Sequence, residues 1–186
     1  MAARTLYYHG TSLDSAKNIA HFIDLGCGKP CQDFSHKCGF YLNIDEEGAR
    51  KFAKNSRTHE NKIPAVVIFK EPRNLHEYCG LNLSDDENDW KDIIRYNRSG
   101  QSIFLEERNE SIYRNYEKCD YIVGPMYERT FRINKNKWTW TTSPDGFHNS
   151  YRQLCIKSEK LANEFSKNIF DIICFESDEW ESVEIN

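Results

Sequence analysis

A short apolar run near the middle of the chain, residues 65–69, constrains the fold more than any other stretch. It reads Ala-Val-Val-Ile-Phe, begins directly after Pro64 and contains no polar residue. A strand with one face in water alternates polar and apolar residues, whereas a continuous β-branched run is typical of a strand buried on both faces. We therefore expect residues 65–69 to form a central strand of a sheet.

Two strand–helix units are predicted before this central strand. Residues 5–8 are β-branched and aromatic, which predicts a strand, and Ser12 is placed to cap a helix that follows it. Residues 39–42 predict a second strand, and Asn43 is placed to cap a second helix. The first part of the chain therefore combines strands with amphipathic helices.

The rest of the chain continues this mixture. Further strands are predicted at residues 121–125, 151–156 and 169–175, with a weaker signal at 75–78, and further helices at 84–98 and after Ser158. Residues 27–37 are expected to be a loop, 130–149 a long loop or ragged hairpin, and the acidic residues 176–186 a fraying tail, while 99–117 match no element. Because there is no internal repeat and no linker, we expect one α+β domain, residues 1–175, followed by the tail 176–186.

The composition excludes several classes of protein. A hydrophobic fraction of 39%, with 11 Phe, 10 Tyr and 4 Trp in 186 residues, excludes general disorder. A net charge of −4 gives no electrostatic footprint for nonspecific nucleic-acid binding. No secretion signal follows Met1, and no apolar run reaches the length of about 20 residues that spans a membrane. We therefore expect a cytoplasmic or otherwise intracellular protein with no membrane partner.

The seven cysteines are expected to be reduced thiols, because their number is odd and the expected compartment is reducing. One compact group, Cys27, Cys31, His36 and Cys38, resembles a zinc ligand set. Most zinc sites, however, draw their ligands from two separated knuckles, and ligands this closely spaced in one loop would need strained turns. Loop thiols without a metal are therefore the favoured interpretation.

Three strand ends stand out for the side chains that they carry. Tyr8-His9-Gly10-Thr11-Ser12, followed by a helix and then by Gly39-Phe40-Tyr41-Leu42 with its own helix, resembles the NAD-binding half of the ADP-ribosyltransferases of the diphtheria-toxin and poly(ADP-ribose) polymerase branch. That branch has the pattern His-Gly-Ser/Thr, then Gly-x-Tyr, then Glu on a later strand. Residues 120–125 and 153–161 are similar to an uncharacterised family related to these transferases, in which Gln often stands at the Glu position.

The resemblance implies a fold and a cofactor. The fold is α+β, with two packed and mostly antiparallel sheets around an NAD cleft and with flanking helices. NAD serves as co-substrate, and no metal is expected. Gly10 would present its N–H and C=O to the nicotinamide carboxamide, a contact that a larger side chain could obstruct. His9 would bind a ribose hydroxyl, and Tyr41 and Phe52 would enclose the cationic nicotinamide ring. The expected cofactor-binding set is completed by Thr11, Ser12 and Gly39, with Ser12 near a phosphate or ribose.

The resemblance further implies His9, Tyr41 and Gln153 as the catalytic residues. Gln153 takes the place of the Glu that holds the ribose 2′-hydroxyl and puts negative charge near the oxocarbenium-like transition state. Gln keeps the hydrogen bond but loses the charge, which is worth about 4 kcal/mol at ~4 Å and an effective dielectric of ~20, or roughly three decades in rate.

We therefore expect an NAD-dependent mono-ADP-ribosyltransferase that acts on an unidentified acceptor. A protein acceptor is favoured over nucleic acid, because the charge balance gives no basic footprint. Two alternatives remain open. Water as the acceptor would make the protein an NAD glycohydrolase, and loss of turnover would leave a pseudoenzyme or interaction module that binds NAD or ADP-ribose.

Overall fold

One mixed sheet organises the computed structural model, which describes residues 4–27, 32–36, 38–55, 62–99, 110–126, 132–134, 137–139 and 151–184. Within these residues the sheet has eight strands: β1 (Leu6–Ser12), β2 (Phe40–Asn43), β3 (Pro64–Lys70), β4 (Gly80–Asn82), β5 (Tyr121–Pro125), β8 (Arg152–Ile156), β9 (Ile169–Glu176) and β10 (Glu179–Ser182). Two further strands, β6 (Arg132–Asn134) and β7 (Lys137–Thr139), pair as a separate hairpin. The described helices are α1 (Leu13–His21), α2 (Glu46–Asn55), α3 (Glu87–Ser99), α4 (Glu110–Lys118) and α5 (Glu159–Ser166).

The strands of the large sheet follow the order β10-β9-β3-β1-β2-β8-β5-β4. Only β4 and β5 are parallel, and the other neighbours in this described sheet are antiparallel. Residues 65–69 lie within β3, between β1 and β9, and each is at most 8% exposed. The expected central strand and the expected α+β class are therefore confirmed.

Both faces of the sheet are covered by helices. On the first face, α1 and α5 pack on a cluster that includes Tyr7, Phe69 and Phe165. On the second face, α2 packs over β1 and β3 in one cluster, while α3 and α4 pack over β5 and β8 in another. Alternation of side chains along each strand assigns them to these two faces. The second face thus has two separate cores, one on each side of the junction between β1 and β2.

This junction, which we call the seam, is the weakest connection within the sheet. β1 and β3 share seven register pairs and β2 and β8 share four, whereas the described residues of β1 and β2 share one, Tyr8 with Asn43. The sheet therefore consists of two four-stranded halves, β10-β9-β3-β1 and β2-β8-β5-β4. In place of the expected two packed sheets, these eight strands form one sheet whose halves share a single register pair.

Several local expectations were wrong. Residues 75–78 are not a strand, because Leu75–Glu77 form a turn of 3-10 helix, and the strand that follows is β4. Residues 110–118, which matched no element, form α4, whose buried Ile112 and Tyr116 pack on the second face. Asn43 does not cap α2, since it lies in β2, and the carboxylate of Asp45 instead accepts the Gly48 N–H at 2.7 Å.

The acidic tail also differs from expectation. Instead of fraying, β10 pairs with β9 and covers an edge that would otherwise be open. Ser177 and Asp178 both have positive φ, 51° and 65°, as a tight two-residue hairpin requires. The rings of Phe175 and Trp180, which are register partners, lie 5.4 Å apart. Local pairing and aromatic contact therefore order this segment despite its charge.

Helix α2 connects this hairpin to the seam. Lys54 places its Nζ 3.3 Å from the centroid of the Phe175 ring, and the Arg50 guanidinium lies 4.7 Å from that of Trp180. The opposite side of α2 rests on β1, where a Cβ added to Gly10 would lie 2.2 Å from the carbonyl oxygen of Ala49. Glycine at position 10 is therefore required by the approach of α2.

Four segments considered in the sequence analysis lie partly outside the described residues: the loop at 27–37, the unassigned segment 99–117, the loop or hairpin at 130–149 and the tail 176–186. Within 130–149, β6 and β7 show a short hairpin. None of the described helices combines the length and the apolar character that crossing a membrane requires.

We expect Gly10→Ala to destabilise the protein by about 3 kcal/mol, because the added methyl group meets a helix carbonyl rather than a flexible side chain. Urea unfolding measures the change. Gly26→Ala is the matched control, since its Cβ would meet only the Asp24 carboxylate at 3.1 Å, and it should leave the unfolding midpoint nearly unchanged. Equal midpoints for the two variants would contradict the packing of α2 on β1.

Candidate active site

The backbone of Gly10 faces the seam. The Leu13 N–H donates to the Ile63 carbonyl at 2.9 Å, in the same register as the β1–β3 ladder, which identifies the odd-numbered residues of β1 as those hydrogen-bonded to β3. By the alternation of an antiparallel ladder, the N–H and C=O of Tyr8 and Gly10 point toward β2. Tyr8 pairs there with Asn43, but in the described strands the ladder ends before Gly10. The Gly10 N–H and C=O are therefore presented side by side along the seam.

His9 takes the place of the next rung. Its Nδ1 lies 2.7 Å from the carbonyl oxygen of Tyr41, the residue that would face Gly10 if the ladder continued. Because a carbonyl only accepts, Nδ1 is the donor, and in the neutral form of the ring Nε2 would be an acceptor. The ring stacks on Phe40, with centroids 4.3 Å apart and planes at 23°. The imidazole thus bridges β1 and β2 without closing the seam.

Tyr41 is anchored by its hydroxyl group. The Tyr41 Oη accepts the Phe34 N–H at 3.0 Å, and the ring packs in the cluster of the second face with Cys155, its register partner on β8. Burial raises the pKa of the Tyr41 hydroxyl well above its usual value, and the nearby Cys155 and Asp33 add to this effect. The phenol therefore stays neutral, and its ring is fixed in one orientation beside the seam.

Gln153 lies in the middle of the second half of the sheet. It pairs with Asn43 on one side and with Gly124 on the other, and it is 6% exposed. Its Nε2 is buried and has no hydrogen-bond partner among the residues that the structure describes. A buried amide without a partner is uncommon and calls for an explanation.

Phe52 and Gly39 are positioned by different neighbours. Phe52 lies on the turn of α2 between Ala49 and Ala53, which cover Gly10, and its side chain is 50% exposed. At Gly39 an added Cβ would lie 2.6 Å from the Cys155 sulfur, so this glycine lets the chain pass over β8 at the start of β2. Phe52 thus offers an aromatic surface near the seam, while Gly39 serves packing.

Thr11 and Ser12 are buried in β1. Ser12 caps α1 as expected: its Oγ accepts the Ser15 N–H at 3.4 Å and donates to the Ser15 hydroxyl at 3.0 Å. The side chain has no exposed surface and already has two hydrogen bonds. These contacts do not support the expected contact of Ser12 with a phosphate or ribose.

The structure gathers the expected residues around the seam but not on one face. Gly10, Tyr41 and Gln153 belong to the second face, together with Asn43. His9 belongs to the first face, where it stacks on Phe40, and reaches the seam through its bond to Tyr41. A ligand that meets all of these residues must therefore reach both faces of the sheet at the seam.

Two supporting residues were missed by sequence reasoning. The sequence predicts Asn43 to be a helix cap, whereas its register with Tyr8 and Gln153 places it in β2 beside the seam. Asn97 is fully buried on α3, where its Nδ2 donates to the Asp33 carbonyl at 3.0 Å and its own carbonyl accepts from His36 at 3.1 Å. A polar residue on an otherwise apolar helix stripe was the available signal for Asn97.

The described members of the cysteine group are not arranged around a common point. Cys31 lies outside the described residues, the Cys27 thiol donates to the Asp24 carboxylate, and His36 is bonded to α3. Among the residues that are described, no three His, Cys, Asp or Glu side chains are grouped as ligands would be.

Comparison with known proteins leaves the family open. No protein-family model matches the chain, and neither the curated proteins nor the solved structures contain a significant match. The family resemblance therefore remains a prediction from the motif residues.

The buried Cys155 thiol beside Tyr41 makes the stability of the protein sensitive to alkaline pH. Burial raises the pKa of the Cys155 thiol to about 12, whereas an unfolded thiol has a pKa of about 8.5. The folded protein thus holds this proton more tightly, so the contribution is complete below about pH 8.5 and is lost as the pH rises toward 12. We expect this thiol to lower the free energy of unfolding by up to about 1.4 kcal/mol for each pH unit in that range.

Urea unfolding at about pH 8 and about pH 10 measures this decline, which should be shallower in Cys155→Ala than in the wild type. Replacement of an exposed thiol, Cys79→Ala, is the control and should keep the wild-type slope. An unchanged slope in Cys155→Ala would show that the buried thiol does not cause the decline.

Proposed function

We propose that the protein binds NAD at the seam and transfers its ADP-ribose group to an acceptor, with release of nicotinamide. One observation supports the proposal above all others. The backbone N–H and C=O of Gly10 face the seam beyond the last β1–β2 pair. A primary amide needs one donor and one acceptor side by side. The nicotinamide carboxamide would donate to the Gly10 carbonyl and accept from its N–H.

The aromatic residues near this edge suit the rest of the nicotinamide ring. Tyr41 is held in place by Phe34, and its raised pKa keeps the phenol neutral. Phe52 presents a half-exposed ring on the helix that covers Gly10. Aromatic faces attract a pyridinium cation by roughly 0.5–2 kcal/mol, so these two rings would favour the charged nicotinamide of NAD over neutral ligands.

The polar residues suit the ribose. With Nδ1 donating to Tyr41, the Nε2 of His9 can accept a hydrogen bond from a ribose hydroxyl. Gln153 would donate from Nε2 to a ribose oxygen. In the reaction, the bond between the ribose carbon and the nicotinamide nitrogen breaks, and its electron pair leaves with neutral nicotinamide. The oxocarbenium-like sugar is then captured by a nucleophile of the acceptor, which loses a proton.

The finer fold assignment belongs to the same proposal. The two halves of the sheet correspond to the two sheets of the ADP-ribosyltransferase-like fold, and the seam corresponds to its NAD cleft. The support is that one register pair joins the described halves, while the second face carries a separate core on each side of the seam. A protein acceptor is favoured over nucleic acid by the net charge of −4.

A binding module without turnover is the second candidate, and Gln153 is the observation that favours it. A neutral amide cannot supply the negative charge that stabilises an oxocarbenium ion, which is worth about 4 kcal/mol under the conditions given above. On this alternative the seam binds NAD or ADP-ribose as a signal. Capture by water, which would make the protein a glycohydrolase, is distinguished by its product, free ADP-ribose.

Nicotinamide release from NAD tests the proposal, measured with and without cell extract as a source of acceptors. We expect slow release by the wild type, loss of release in His9→Ala, and a gain of up to roughly three decades in Gln153→Glu, because the carboxylate restores the missing charge. His21→Ala, which replaces an exposed histidine at the end of α1, is the matched control and should behave as the wild type.

The outcomes separate the candidate functions. Absence of release with every extract contradicts the transferase, while a thermal shift with NAD under the same conditions supports the binding module. Activity that appears only in Gln153→Glu identifies an attenuated pocket. Nicotinamide release that is accompanied by free ADP-ribose, with no ADP-ribose attached to an acceptor, identifies the glycohydrolase.

A further inference from the structure

Two amide side chains, each with one buried polar atom, face each other at one end of the seam. Asn43 and Gln153 are register partners on β2 and β8. The Ile44 N–H donates to the Arg152 carbonyl at 3.1 Å in the next pair, so Asn43 and Gln153 form a pair that is not hydrogen-bonded through the backbone. In such pairs the side chains come closest, with Cβ atoms about 4.5–5.5 Å apart. The two amides therefore share one small region of the second face.

Each of these amides has one polar atom without a partner. Asn43 Oδ1, an acceptor, and Gln153 Nε2, a donor, are both buried and have no hydrogen-bond partner in the described part of the chain. They are complementary, yet they are not bonded to each other. Burying a polar atom without a hydrogen bond is costly, so a pair of such atoms indicates a group that occupies the space between them.

The neighbouring residues keep this region from being filled. A Cβ on Gly48, in the first turn of α2, would lie 3.3 Å from Asn43 Oδ1 and 3.2 Å from Cγ of Tyr151. Glycine at this position therefore keeps the helix from crowding the Asn43 amide. Because the backbone of Asn43 pairs with Tyr8, its side chain also lies where the seam begins, two residues along β1 from Gly10.

The chemistry of the two atoms selects the group. A carboxylate would be repelled by the Asn43 oxygen, and an ammonium group by the Gln153 N–H. A hydroxyl group accepts and donates through one oxygen, so it satisfies both atoms at once. Water has the same capacity, and the experiment below distinguishes a ligand hydroxyl from water.

We propose that Asn43 is a ligand-binding residue that, together with Gln153, holds the 2′-hydroxyl of the nicotinamide ribose. The Gln153 Nε2 donates to the hydroxyl oxygen, and Asn43 Oδ1 accepts the hydroxyl proton. This inference rests on the proposed function and deepens it: the acceptor of the hydroxyl proton lies on β2, not on β8. Asn43 thus contributes to recognition of the sugar, while Gly10 contributes to recognition of the base.

Binding of NAD and of its analogue that lacks the 2′-hydroxyl of the nicotinamide ribose tests this assignment, measured by calorimetry under conditions where turnover is negligible. The variants are Asn43→Leu and Gln153→Met, which replace each amide by an apolar side chain of similar shape. We expect each to bind NAD roughly 10- to 100-fold more weakly than the wild type. The wild type should bind the analogue as weakly as the variants bind NAD, and the variants should no longer distinguish the two ligands.

Thermal unfolding without ligand provides a second readout. Because each variant removes a buried atom without a partner, its melting temperature should be equal to or higher than that of the wild type. Ser84→Ala is the matched control, since the Ser84 hydroxyl is also buried and without a described partner, but lies after β4 at the far edge of the sheet. It should leave NAD affinity unchanged.

Asn43→Asp keeps the acceptor oxygen, so it should keep the preference for NAD over the analogue.

The outcomes separate this inference from the proposed function. If the wild type binds NAD and Asn43→Leu binds it equally well, the assignment of Asn43 is overturned while the proposed function stands. Equal affinity of the wild type for NAD and the analogue shows that the amides hold water, which also overturns the assignment. If the wild type does not bind NAD, both proposals fall. Should Asn43→Leu not fold, Gln153→Met carries the same comparison of ligands, and loss of the preference for NAD in Asn43→Asp contradicts the assignment of Asn43.

Discussion

The hydrogen bond between the His9 imidazole and the Tyr41 carbonyl determines how the two halves of the sheet meet. One rung earlier, Tyr8 pairs with Asn43 through the backbone, and one rung later the strands are joined by this side chain instead. Beyond this point the described β1–β2 ladder ends, so the N–H and C=O of Gly10 lie outside it. The described sheet thus continues across the seam through one backbone pair and one side-chain bond.

A polar network centred on α3 positions the segment that contacts Tyr41 beside the seam. Asn97 bonds to the Asp33 carbonyl and to Tyr116 and His36, and Arg98 forms an ion pair with Asp33. These bonds fix the segment 32–36, whose Phe34 N–H binds the Tyr41 hydroxyl. Because the Asn97 bonds to Asp33 and Tyr116 are buried, each of them is worth more than it would be in water. The orientation of Tyr41 thus depends on residues far from it in sequence.

Local patterns in the sequence were sufficient for the elements that they specify. The apolar run of β3 and the serines before α1 and α5 were all interpreted correctly, because burial and capping depend on adjacent residues. The seam could not be predicted in the same way. Asn43 resembles a helix cap until its partners Tyr8 and Gln153 are known, and these lie on strands distant in sequence. The negative charge of the tail likewise led to the expectation of fraying, whereas the pairing of β10 with β9 outweighs the charge repulsion.

The position of β2 in the strand order has a consequence for assembly. Its two neighbours are β1, the first strand, and β8, which comes late in the chain. An N-terminal portion of the chain can form the β1–β3 pair, which is local, but β2 has only the single bridge to β1 until β8 exists. Closing so long a loop is slow, because its entropy is lost before the contacts form. The seam is therefore among the last features of the described sheet to form, and a nascent chain cannot complete it before β8 has been synthesised.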